Sequence, residues 1–155
     1  MDLSSITWGV IIFAACLIPL ILLGSQIKRN SKKLLTPILE EVKQRQGKIT
    51  VYEQILDVCF AMDEQQNVLY YYRETSEKNE LKTIYLKDLE TSKLNIQRKS
   101  ENKNRSTTVT KIVIELQKDS KTVDNLIVYD INESKQLIPE VLYAEKWNRL
   151  INSKL

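Results

Sequence analysis

The chain has 155 residues, 23 lysines and arginines against 20 aspartates and glutamates, a formal net charge of +3, no histidine, two cysteines, three glycines and three prolines. Without histidine there is no Ser-His-Asp or Cys-His catalysis and no histidine-ligated metal. The glycines are Gly9, Gly24 and Gly47, so the rest of the chain has neither a phosphate-cradling P-loop nor a dinucleotide fingerprint. Acidic and basic residues alternate along most of the chain, and a pI near 8.8 gives nucleic-acid binding little support. No cofactor and no metal is therefore expected.

Residues 6–24, ITWGVIIFAACLIPLILLG, carry no charge and come close to the ~20 residues that cross a bilayer as a helix. Ile6, Trp8, Phe13, Pro19 and Leu23 mark this stretch, with Trp8 placed for an interface and Pro19 for a tolerated kink. It begins Met1-Asp2-Leu3 rather than with lysine or arginine, unlike a cleaved secretory signal. Phe13-Ala14-Ala15-Cys16 loosely matches a lipoprotein box, but the apolar run continues past it. The bases Lys28, Arg29, Lys32 and Lys33 follow the stretch. The positive-inside bias then predicts a retained anchor over 1–27 in the cell (inner) membrane, N-terminus outside and body cytoplasmic. The same four bases are also candidates for anionic headgroups.

Residues 28–48 read as a basic juxtamembrane and helical connector. Thr36 is a candidate cap, Pro37 suits a first helical position, Glu40 and Glu41 suit the positive end of the helix dipole, and Gly47 is placed to stop the helix. Leu34, Leu35, Ile38, Leu39 and Val42 form one stripe, for burial on the body or along the membrane surface.

From residue 49 to 155 the chain reads as a mainly-β (α+β) body. Leu56, Val58, Phe60 and Met62 alternate with polar or small residues, which predicts a half-buried strand. Asp63 to Asn67 supplies a turn and 68–72 a partner strand, with further strands at 81–86, 93–98, 107–117 and 122–129. Tyr70, Tyr71 and Tyr72 point alternately to opposite faces, so at least one ring is expected near the surface as an interface candidate. Arg98, Lys99, Lys103 and Arg105 form a second basic group beside a single acid, and are interface candidates for anionic lipid or an acidic partner, the alternative being a solvated loop. A helix over 139–153 puts Tyr143, Ala144, Trp147, Leu150 and Ile151 on one face, with Phe60 and Trp147 as structural core. Cys59 lies in a strand with no histidine to activate it and reads as an inert buried thiol.

Ala144-Glu145-Lys146-Trp147-Asn148-Arg149-Leu150-Ile151 resembles the final helix of pleckstrin-homology-like domains, and Ala61 to Tyr70 resembles the opening hairpin of small membrane-anchored bacterial proteins of that type. The resemblance implies a curled antiparallel sheet or PH-like barrel closed by the C-terminal amphipathic helix. It also implies either lipid recognition at the first hairpin or a protein-binding platform. Asp63 and Glu64 occupy that hairpin loop without a base, which argues against a phosphoinositide site. The expected function is thus a single-pass, membrane-anchored, non-enzymatic interaction or scaffolding module with a protein partner. The alternatives are an anionic-lipid-binding module and a small carboxylate-based enzyme.

Overall fold

A computed structural model describes residues 33–100, 107–133 and 140–155. The segment from Leu34 to Leu155 forms one compact unit. Within it, among the described residues, lie two helices, α1 (residues 33–44) and α2 (Glu140–Asn152), and seven strands. The strands are β1 (Val51–Ile55), β2 (Val58–Asp63), β3 (Val68–Glu74), β4 (Asn79–Tyr85), β5 (Thr91–Ser100), β6 (Thr107–Lys118) and β7 (Lys121–Asp130).

The expected single curled sheet or closed barrel is not what forms. The strands make two separate antiparallel sheets, β1-β2-β3-β4 and β5-β6-β7. A 3-10 turn at Leu86–Asp88 breaks the ladder between them, held by the fully buried Leu86 side chain and its backbone bond to Asn67. Among the described residues, the strand edges of β1, β4, β5 and β7 are consequently left without a strand partner. Among the described residues no helix is long and apolar enough to cross a membrane. The anticipated anchor over 1–27, with Ile6, Trp8, Phe13, Pro19 and Leu23, lies outside the described residues.

Two cores explain why these strands take these places. On one face of the first sheet, Phe60, Met62, Leu69 and Tyr71 pack with Ile112, Ile114 and Leu126 of the second sheet and with Trp147 and Tyr143 of α2. The other face carries Cys59, Ala61, Val68, Tyr70 and Tyr72, covered by Leu34, Ile38 and Val42 of α1. Strands β2 and β3 are therefore buried on both sides. All six residues of β2 are buried, where alternation alone predicts a half-exposed strand. Small side chains at Cys59 and Ala61 leave room for a helix above the sheet.

Helix α2 packs on the core shared by the two sheets, reaching the middle of β1 and the start of β5. Trp147 stacks on Phe60 at 5.1 Å between ring centroids. The Tyr143 hydroxyl donates to the Glu53 carbonyl of β1 at 2.8 Å, and Lys146 pairs with the Glu53 carboxylate at 2.7 Å. Asn152 and Asn148 hold Ser92 of β5, the first through its backbone N–H and carbonyl as well as its hydroxyl. The helix thus holds the β1 edge of the first sheet from one side and the β5 edge of the second from the other.

The end of α1 differs from the sequence reading. Residues 33–36 are already helical, so Thr36 is not the cap. The helix stops at Gln46, which takes a left-handed φ of 54°. Its N–H bonds Lys43 at 3.1 Å and the Gly47 N–H bonds Val42 at 2.9 Å, the paired bonds of a Schellman ending. Gly47 has another role. A Cβ there would lie 2.9 Å from Asp63 Oδ2 and 3.4 Å from the Tyr70 hydroxyl, and the Asp63 oxygen cannot easily move, because it accepts the Lys48 N–H at 2.7 Å.

Glycine belongs at each of these positions for a different reason, so opposite outcomes are expected. Gln46→Gly relieves the left-handed strain and should stabilise by up to about 1 kcal/mol, whereas Gly47→Ala should destabilise by about 1–3 kcal/mol through overpacking. Urea denaturation midpoints of the two variants check this, and a destabilised Gln46→Gly would contradict the assigned helix end.

Candidate interaction cleft

Among the described residues, those singled out in the sequence are not brought together. Tyr70 and Tyr71 are fully buried and Tyr72 is 7% exposed, so none of the three rings offers a surface. Tyr70 and Tyr72 face α1, and Tyr71 faces the second sheet. Both faces of β3 are covered, which removes the exposed ring that alternation requires of a one-sided sheet. Arg98 and Lys99 are exposed at the end of β5. Lys103 and Arg105 lie outside the described residues, as do Lys28, Arg29 and Lys32, and Lys33 is exposed at the start of the described helix. Cys59 is fully buried, and desolvation pushes its thiol up to about 12.

The first hairpin loop is occupied with structural work. Asp63, nearly fully buried, accepts the N–H groups of Lys48 through Oδ2 and of Gln65 and Gln66 through Oδ1. Burial alone raises a carboxyl pKa, but these three backbone donors together outweigh it and hold Asp63 below the usual carboxylate range. Glu64 pairs with Lys154 at 2.7 Å. Asp63 is thus committed to the turn, and Glu64 is engaged in a surface ion pair with Lys154.

At the seam between the sheets the edge strands β4 and β7 approach without pairing. Side chains of the first sheet cap the β7 edge. The Tyr71 hydroxyl donates to the Ile127 carbonyl at 2.8 Å. Lys82 Nζ donates to the Asn125 carbonyl at 2.9 Å and to Asp124 Oδ1 at 2.6 Å, while lying 3.5 Å from Glu80 and over the Tyr71 ring. Two alternate carbonyls on the outer edge of β7 are thereby satisfied, which blunts that edge against another chain.

Beyond these caps the seam widens into a cleft of about 230 Å³ lined by Arg73, Thr75, Glu77, Lys78, Glu80, Ile127 and Glu133. Arg73, at the end of β3, lies two residues after Tyr71 and so on the same inward face. It is only 3% exposed. Its neighbours are Val58 on β2 and Glu80 on β4. Asp57 Oδ2 lies 3.5 Å from Nε, and Glu133 Oε2 lies 2.9 Å from Nη2. Close as these oxygens are, neither Nε nor Nη2 makes an aligned hydrogen bond among the described residues. A buried guanidinium ordinarily has its fork-like donors satisfied. Here two of them are held by charge alone.

Sequence reasoning missed Arg73 because the second strand was ended at Tyr72. Continuing the period of two from Leu69 and Tyr71 puts an arginine on the core face, and that was the available signal. Thr75, Lys78 and Glu133 reach the cleft from turns, whose positions no local pattern fixes. No family model, no curated protein and no solved structure matches the chain.

Proposed function

We propose that the chain is a non-enzymatic interaction module, held at a membrane through residues 6–24, whose body takes a protein partner at the cleft between the β3–β4 turn and β7. The observation that carries this reading is Arg73: a buried cation with two donors unaligned among the described residues, beneath an open cleft. The size of the cleft supports a partner's side chain over a cofactor, since small-molecule sites usually enclose about 300–1,000 Å³. Attachment to the membrane and a cytoplasmic body rest on the uncharged stretch and the bases after it. Pleckstrin-homology-like kinship draws its support from the element order of four strands, three strands and a helix bearing Trp147, and not from closure of a barrel.

A photo-crosslinking residue placed at Glu77 on the cleft rim of the full chain, in its native membrane, tests the reading. One discrete adduct is expected there and none from the same residue at Ser120 in the β6–β7 turn. Equal labelling at both positions, or none at Glu77, would overturn the assignment of the partner to the cleft. In the same membranes the chain should resist carbonate washing. Arginine at both Ile11 and Leu20 should release it.

A further inference from the structure

We infer that Arg73 binds a carboxylate of the partner by exchange, with Glu133 as the built-in competitor that occupies the site when the partner is absent. This rests on the reading of the cleft as a partner site and names the chemistry recognised there. Arg73 lies at the base of the cleft and Lys78 on its lining, beside the carboxylates of Glu77, Glu80 and Glu133, so an entering carboxylate finds its counter-charge at Arg73 only where Glu133 gives way. Glu133 follows β7 in a turn, and its side chain is 41% exposed while its oxygen sits 2.9 Å from Arg73 Nη2. It covers a donor without bonding along it.

Charge selects the class of ligand. Arg73 shares its charge between Glu133 and Asp57, and a buried guanidinium stripped of its nearer counterion is left under-compensated, so whatever displaces Glu133 must bring a negative charge. A neutral amide of the same shape leaves Arg73 with Asp57 alone, 3.5 Å from Nε. A cation meets Arg73 directly. An arriving carboxylate keeps the charge at the site unchanged, releases Glu133 into water, and can place its two oxygens along the guanidinium edge that Glu133 meets off-axis. The volume of about 230 Å³ suits an acidic side chain or a chain-terminal carboxylate.

The probes are N-acetyl-glutamyl methylamide and its neutral isostere N-acetyl-glutaminyl methylamide, titrated into the full-length chain in detergent while the Arg73 Nε–H resonance is followed. The acid should shift that resonance saturably and the amide should leave it in place. Glu133→Gln removes the competitor at an exposed position without touching the core. If Glu133 occupies Arg73 for about nine-tenths of the time, the variant should bind the acidic probe about tenfold more tightly. A response to the amide equal to that of the acid, an unchanged affinity in Glu133→Gln, or no shift with either probe would overturn carboxylate exchange. An adduct that still forms from the crosslinker at Glu77 would then show that only the ligand chemistry has failed. Loss of that adduct as well would sink the partner site itself.

Discussion

Replacing Trp147 by alanine should cost about 3–5 kcal/mol, the usual range for removing a fully buried large aromatic, and it should be the most damaging single change in α2. The indole is completely enclosed, stacked on Phe60 and 6.4 Å from the Tyr143 ring. It therefore touches β2 and the helix at once, and the cavity left behind opens at the junction of both sheets. Trp147→Phe separates packing from polarity. The indole Nε1 is buried with no hydrogen-bond partner among the described residues, and such an orphaned donor ordinarily costs about 1–3 kcal/mol. Phenylalanine discards that cost while leaving a smaller void, so its loss should be no more than about 1.5 kcal/mol. Urea denaturation at constant m measures both. A phenylalanine variant as unstable as the alanine one would show that the N–H is satisfied in solution.

The Trp147 face of α2 was legible because a helix covering one core repeats its apolar residues at 3.6, and nothing else competes for that face. The β2–β3 hairpin was legible for a similar reason: Asp63 to Asn67 is polar between two apolar runs, and Asp63 caps the turn with its own carboxylate. Elsewhere tertiary structure overrode the local signal. Leu56 continues the alternation of Val58 and Phe60, yet it sits in the β1–β2 turn at a φ of 47°, and β1 precedes it as a separate strand. Periodicity reports which face a residue prefers, and it is blind to a two-residue reversal made by a leucine. The tyrosines failed as surface candidates because a period of two says nothing about whether a helix covers the second face. Closure was overestimated since strand count and spacing are the same for one curled sheet and for two. The cleft was least legible of all, being assembled from a strand end and two turns distant in sequence.

Ile38→Ala tests the feature that sequence patterning could not decide, the docking of α1 on the outer face of the first sheet. Ile38 is fully buried between Leu34 and Val42 on the helix and Ala61, Val68 and Tyr70 beneath it. Truncation should cost about 2–5 kcal/mol if the helix is an integral layer of the body. Leu39, the next residue but 41% exposed, should cost about 0.5 kcal/mol or less on the same change. A second readout comes from Cys59, which lies under the same helix and is protected by burial. If α1 opens locally before the rest of the body unfolds, a loss of about 2 kcal/mol in its docking raises the open population about thirtyfold. In a Cys16→Ser background, alkylation of Cys59 in Ile38→Ala should therefore accelerate by that factor and remain slow in Leu39→Ala. An unchanged rate together with an unchanged denaturation midpoint would mean that α1 is dispensable, and that Tyr70 and Tyr72 are available to a partner after all.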